Sequence, residues 1–262
     1  MKKLILIFLL IACFTNADEW RKGRSSIVGT GYRQEEGAGK IQTTLYPPAL
    51  WYEFNYNDGS IVYDLSGNNN TGTVSGATWT ADATGGSFRF DGTNDCMSIP
   101  ASSSLALGGT GYTISVWIKS NGTLTSQKDF AGIYHKGLVS ENQNRYYILC
   151  TAGETLMSGF YDTESTGRNA TTPTLTGFNG VWKHVVATFN GATDSIAIYV
   201  NGVLSTNVTG ITQTFGTTAE TTYIGNIDNS TTYTFKGDID AVIVENHAIT
   251  SNEVLRLYQR GR

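Results

Sequence analysis

Carboxylates and carboxamides gathered in short loops are the chemically suggestive residues of this 262-residue chain. Asp91-Gly92-Thr93-Asn94-Asp95 sets several side-chain oxygens in one tight turn, and Asn226-Ile227-Asp228-Asn229 does the same just after Gly225. Asp238 and Asp240 project from one face of an expected strand, about 7 Å apart along it. Calcium takes six to eight oxygens from carboxylates, amide carbonyls and backbone, and loops of this composition can supply them. The competing chemistry is structural. Asp and Asn in turns accept bonds from nearby backbone amides, which accounts for Asp64, Asp91 and Asp95 without any ion.

Catalysis finds less support. A retaining glycosidase needs two carboxyls about 5–5.5 Å apart, yet Asp238-x-Asp240 has no flanking glutamates and Glu245 stands five positions on. His135, His184 and His247 are scattered, each read as structural, and no Cys/His metal spacing, phosphate loop or nucleophile elbow is present. The chain is therefore read as noncatalytic, with aromatic rings as its means of recognition. Tyr134, Tyr146, Tyr147, Tyr161 and Tyr233 fall near expected strand ends or loops, where a ring can stack on the apolar face of a sugar. At 11% aromatic residues most rings must serve the core, and Trp51, Trp117 and Trp182 are assigned there. The expected ligand contact is the polar loop from Glu141 to Arg145, edged by tyrosine, with Asn142, Asn144, Arg145 and Tyr146 as its residues. A plain surface loop is the alternative.

Strands must position these groups. Residues 182–202 alternate apolar and polar side chains on either side of Asn190-Gly191-Ala192-Thr193, the pattern of an antiparallel hairpin, and Asn201-Gly202 turns the chain again. Tyr112 to Lys119 alternates with Ile114, Val116 and Ile118 on one face and Trp117 on the other. About a dozen such runs follow one another from Ala49 onward without intervening helices. That number implies two stacked antiparallel sheets. One helix is expected at the end, where Thr250-Ser251-Asn252-Glu253 forms a capping box and Val254, Leu257 and Tyr258 share a face. It is expected to pack one end of the sandwich.

Composition agrees. Only 15% of residues are charged, against roughly a quarter in an average domain, and long helical runs are absent. Residues 1–46 hold seven Lys/Arg and four Asp/Glu, whereas the remainder holds eleven and eighteen. The mildly acidic body has no basic stripe for nucleic acid. Lys2-Lys3 followed by the apolar stretch Leu4 to Ala12 reads as an export signal too short to span a bilayer. Two processing routes stay open: cleavage after Ala17, or a lipobox at Leu10-Ile11-Ala12-Cys13 that would acylate Cys13, with 1–12 removed. The domain plan is thus a signal over 1–17 or 1–12, an arm or tether over 18–48, and a globular domain over 49–262. The expected location is secreted or on the cell envelope. Export permits a disulfide between Cys96 and Cys150 without requiring one.

Five segments in order resemble the laminin G-like, concanavalin A-like family over roughly residues 50–259. They are Trp51–Phe54 with Asp64–Asn69, Phe88–Asp95, Tyr112–Lys119, Trp182–Gly202, and Gly237–Val244 with Ala248–Thr250 and Glu253-Val254. The resemblance implies an all-β, two-sheet antiparallel jelly-roll β-sandwich, with the short C-terminal helix added. Hydrolases of this fold commonly set their acids as Glu-x-Asp-x-x-Glu on one strand, and no such segment occurs here. Pentraxins, distant relatives in the class, bind calcium through an Asp/Asn pair and a later acidic loop. By motif position, Asn94, Asp95, Asn226 and Asp228 look like those two elements, although the second loop offers a single carboxylate. The expectation is a noncatalytic exported module that binds a glycan or an extracellular protein surface, with Ca2+ as a candidate ion. The alternatives are a structural or adhesive component of a phage particle or cell envelope and, less favoured, a polysaccharide-active enzyme.

Overall fold

A computed structural model describes residues 47–108, 110–137, 145–162, 166–211 and 220–262. The expected leader, most of the arm, Asn142 and Asn144 lie outside the described residues. The described strands are β1 (Leu50–Tyr52), β2 (Ile61–Val62), β3 (Gly72–Ser75), β4 (Thr78–Asp82), β5 (Gly85–Asp91), β6 (Cys96–Ile99), β7 (Gly111–Ser120) and β8 (Ala131–Lys136). They continue with β9 (Tyr146–Thr151), β10 (Thr155–Tyr161), β11 (Gly167–Thr171), β12 (Lys183–Asn190), β13 (Ser195–Val200), β14 (Val203–Thr209), β15 (Thr222–Ile224) and β16 (Lys236–Glu245), and helix α1 (Ser251–Arg260) follows.

Two antiparallel sheets result. The first runs β14-β13-β12-β7-β16-β5-β4, with β1 also paired to β16, and the second runs β11-β10-β9-β8-β15-β6-β3-β2. Every second residue of the long strands faces between them. Ile114, Val116 and Ile118 of β7, Val185, Ala187 and Phe189 of β12, and Val242 and Val244 of β16 meet Tyr146, Ile148, Cys150, Leu156 and Phe160 of the second sheet in one core. Each large apolar side chain so enclosed contributes roughly 1.5–3 kcal/mol. Two tyrosines cross the core with their hydroxyls satisfied: Tyr112 donates to the Gly159 carbonyl at 3.1 Å and Tyr146 to that of Leu105 at 2.6 Å.

The alternation that fills the core corrects one expectation. Trp51, Trp117 and Trp182 are only partly buried and lie outside the core cluster. With Ile114, Val116 and Ile118 turned inward, Trp117 has to point the other way. Four strands also escape a reading by pattern. β3, β4, β11 and β14 are short or polar, and in β14 Val203 and Leu204 are exposed. Cys96 and Cys150 are both free and buried. Strands β8 and β15 separate β9 from β6, so about 14 Å of sheet lies between them, far beyond disulfide reach.

The turns use the chemistry their residues suggest. Asn190 Oδ1 accepts from the Ala192 and Thr193 amides at 2.9 and 3.3 Å, closing the β12–β13 hairpin. Asn201 and Gly202 both take positive φ (51° and 77°) between β13 and β14, as a tight hairpin turn requires. Strand β16 changes partners midway, pairing β5 through Lys236–Ile239 and β1 through Val242–Val244. A register shift lies between, with Ala241 at φ 46°. There Asp240 Oδ1 accepts from the Ala241 amide at 2.7 Å and the Phe54 amide at 3.4 Å, supplying the bonds the ladder loses.

Helix α1 begins with the expected capping box, Thr250 accepting from the Glu253 amide and Glu253 from that of Thr250. It lies on the outer face of the first sheet rather than at an end of the sandwich. Tyr258 stacks on Trp117, with ring centroids 5.8 Å apart, and Trp51 lies under Arg260 at 4.7 Å. The outward tryptophans are what the helix packs against.

Two outcomes test this architecture. Ile118→Ala should lower unfolding free energy by about 2–5 kcal/mol, whereas Val203→Ala, at a position 68% exposed, should stay within about 0.5 kcal/mol; urea melts compare them. Burial lifts the Asp240 carboxyl to about 6, against the opposing pull of the Ala241 amide. Its stability contribution is therefore fullest below the unfolded value and falls as pH rises through 6. Asp240→Asn keeps an Oδ1 acceptor without a charge, so its urea midpoint should decline less between pH 4 and 6.5 than the parent's.

Candidate functional site

The face of the second sheet turned away from the core carries its own aromatic cluster. On β9, the residues that alternate with the buried Tyr146, Ile148 and Cys150 are Tyr147 and Leu149; on β10 they are Met157 and Tyr161. Tyr147, Leu149 and Ile227 form a second cluster, against which Met157, Tyr161 and Tyr233 pack half-buried. Cross-strand register explains the grouping. Leu149 stands opposite Met157, and Tyr147 stands opposite both Gly159 on one side and His135 on the other. The Tyr147 and Tyr161 rings lie 6.2 Å apart, and His135 stacks on Tyr147 at 6.3 Å.

Arg145 sits at the head of β9 with its guanidinium 4.0 Å over the Tyr161 ring. Such stacking orients a planar cation, and Arg145 is itself buried there. The neighbouring Asp228 carboxylate interacts with it electrostatically. His135 is 2% exposed, and burial together with the Arg145 charge pushes its pKa down to about 3, so the ring is neutral. Asn169 completes the polar border beside Tyr147.

A loop after β15 supplies Ile227 and Tyr233. It comes down on β8 at Gly132, whose amide donates to the Tyr233 carbonyl at 3.0 Å. A Cβ at Gly132 would stand 2.5 Å from the Asn226 carbonyl oxygen and 2.7 Å from Ile227 Cγ1, so only glycine permits the approach. Asn226 holds the loop in shape. Its Oδ1 accepts from the Ser230 amide at 3.0 Å, and its Nδ2 donates to the Ser230 carbonyl at 3.0 Å and the Asp95 carbonyl at 3.2 Å.

The residues singled out for metal therefore meet in part. Asp95 and Asn226 touch, but Asp95 Oδ2 accepts from the Asp91 amide at 2.8 Å while Asn226 closes its own loop. Asn94 is exposed, and Asp228, at φ 57°, interacts electrostatically with Arg145. Among the described residues no three acidic, His or Cys side chains converge. This donor set fits turn closure better than calcium. Asp64 works likewise, accepting from the Trp51, Ser66 and Asn70 amides at 3.1, 2.9 and 2.9 Å.

Of the expected ligand contacts, Arg145 reaches the aromatic face, and Asn142 and Asn144 lie outside the described residues. Tyr146 is corrected: it is fully buried among core rings because alternation on β9 turns it inward. Tyr134 is buried for the same reason; Tyr147, Tyr161 and Tyr233 lie on the outer face, where Tyr147 is buried and Tyr161 and Tyr233 are half-buried. Pattern reading named all five tyrosines without separating them; the parity of β9, with Ile148 and Cys150 inward, was the signal that could have done so. The acidic pair of β16 is engaged as well. Burial opposes the charged form of Asp238, but bonds from Arg89 at 2.8 Å and Lys119 at 2.6 Å outweigh it and hold the carboxyl below its usual range.

Residues 91–255 match the model of the concanavalin A-like lectin/glucanases superfamily. The chain belongs to that superfamily. No curated protein matches it in sequence. Solved structures similar to it include the ligand binding domain of botulinum neurotoxin serotype D in complex with N-acetylneuraminic acid, at TM-score 0.67 and 15% identity over 82% of this chain and 51% of that one. The binding domain of paraclostridial mosquitocidal protein 1 is similar at TM-score 0.63 and 18% identity, over 82% and 52%. The chain spans about half the length of these structures, and at such identities the likeness concerns the fold.

Asn226→Ala removes the three side-chain bonds that Asn226 makes. It should cost about 1–3 kcal/mol in urea unfolding, with loss of amide exchange protection at Ser230.

Proposed function

We propose that this chain is an exported, noncatalytic recognition module that binds a glycan through the outer face of its second sheet. The observation that carries the reading is the pair of half-buried rings, Tyr161 and Tyr233, packed with the buried Tyr147 on a sheet face directed away from the core, with Asn169 and Asp228 at its border. Rings present flat apolar surface to the C–H face of a sugar, and the polar border supplies donors and acceptors for its hydroxyls. The serotype D neurotoxin structure, with N-acetylneuraminic acid bound, offers a precedent for a sugar ligand among structures of similar fold. Asp238, held in ion pairs with Arg89 and Lys119, is poorly suited to acid–base work, which supports a binding rather than a catalytic role. Export rests on the Lys2-Lys3 and Leu4–Ala12 pattern, and no described helix is long and apolar enough to cross a membrane.

A glycan array probed with the mature chain tests the reading. Discrete hits are expected, reduced about tenfold or more in affinity by Tyr161→Ala and Tyr233→Ala with unchanged thermal melting. The same hits are expected with calcium and with chelator, since the oxygens of Asp95 and Asn226 are already engaged. A blank array combined with retention on purified envelope or phage particles would favour a protein surface and an adhesive role instead.

A further inference from the structure

The ends of the two sheets are unequally guarded. A strand at a sheet edge carries a row of unpaired N–H and C=O groups that another strand can meet, and folded proteins protect it with charge, brevity, a bulge or a covering segment. The first sheet ends in β14 and β4, and the second in β11 and β2. Strand β2 has two residues, β4 carries Asp82 paired with Arg262 at 2.7 Å, and β11 carries Arg168, 3.5 Å from Asp162. Strand β14 is the longest of the four and has no charged residue. Its one guard is the register shift against β13, which leaves Ser205 unmatched.

Three observations bear on what would cover this edge. Val203 and Leu204 are 68% and 51% exposed, and Leu255 of helix α1, exposed as well, reaches Gly202 beside them. The backbone groups of β14 that face away from β13 have no backbone partner among the described residues. Finally, no Asp, Glu, Lys, Arg or His occurs from Ser195 to Ala219, although residues 47–262 hold eleven Lys/Arg and eighteen Asp/Glu. A charged segment of another protein finds no counter-charge there. Two copies of this acidic body repel each other elsewhere, but along β14 they can approach without opposing like charges. An edge strand is also its own complement. A two-fold axis sets the free N–H groups of one copy against the C=O groups of the other.

We propose that β14 is a self-association edge, at which two copies of this chain pair antiparallel about a two-fold axis near Thr206 and join their first sheets into one. A single strand with Leu204 and Leu255 beside it falls short of the about 800 Å2 per partner of a standard interface. The pairing is therefore weak, with a dissociation constant of roughly 10–500 μM. An axis normal to the joined sheet keeps both second sheets on one side, so the two tyrosine faces point the same way. Resting on the glycan reading above, that arrangement makes binding to a repetitive surface bivalent; the pairing itself does not depend on that reading.

Sedimentation velocity of the mature chain from about 1 μM to about 1 mM tests it. A monomer–dimer equilibrium is expected, with amides of residues 203–209 gaining exchange protection at the concentrated end. Asn207→Lys, at an exposed position within one residue of the axis, should weaken pairing about tenfold or more, because like charges then face each other across it. Mixing Asn207→Lys with Asn207→Glu should restore association to at least the parental level. Leu204→Ser is the second variant should Asn207→Lys fail to melt cooperatively, and should weaken pairing several-fold. Phe130→Ser, at an exposed ring before β8, should change nothing. A dimer that Asn207→Lys and Leu204→Ser leave intact, or that Phe130→Ser weakens equally, overturns the proposal. A chain monomeric at every concentration that still scores on the glycan array overturns this proposal alone, whereas a dimer blank on the array overturns only the tyrosine-face reading.

Discussion

Burial of every second side chain between two facing sheets is the constraint from which the rest of this molecule follows. Ile114, Val116 and Ile118 can meet Tyr146, Ile148 and Phe160 only if β7 and β9 keep a strict parity. A one-residue slip would turn each whole set outward. Parity also dictates what lies on the outer faces of the sheets. Trp117 and Ser115 fall on that side of the first sheet, and Tyr147 and Leu149 on that of the second, where Ser115, Tyr147 and Leu149 are covered in turn by neighbouring groups. The outer surfaces are therefore the complement of the core rather than independent inventions.

The two outer faces are finished by different means. On the first, helix α1 covers Trp117 and Trp51, clamped by the Glu53–Arg260 pair and by Arg262 over Trp182 at 3.8 Å. Exposed pairs of this kind contribute little energy alone, yet here they fix the helix over apolar rings that would otherwise stand in water. On the second face no helix intervenes. A loop locked by Asn226 and seated on Gly132 brings Tyr233 and Ile227 beside Tyr147 and leaves Tyr161 and Arg145 at the border. Binding surfaces built on strands and a pinned loop are held more rigidly than those carried by loops alone.

Polar residues in the loops serve first to close turns. Asp64, Asp91, Asp95, Asn190 and Asn226 each accept from backbone amides. An Asx oxygen near its own backbone finds an amide donor at almost no entropic cost, whereas a cation needs several loops to agree in space. The sequence signature of the two arrangements is nearly the same, which is why the spacing of Asn94, Asp95, Asn226 and Asp228 could be read either way.

Local information in the chain was enough for the hairpin at 182–202, the strand at 112–119, the capping box at 250–253 and the class of the fold, because each rests on short-range periodicity or on bonds between near neighbours. Polar edge strands such as β11 and β14 escaped, since they are recruited by a neighbouring ladder and bury few side chains of their own. The place of helix α1 and the separation of Cys96 from Cys150 were decided only by the tertiary structure. Those features depend on which strands lie side by side and on which face each residue falls once two sheets close on one another. Contacts between residues as distant as Asp95 and Asn226, or Glu53 and Arg260, are written in no local pattern; they exist because burying the core brings the loops and the helix to them.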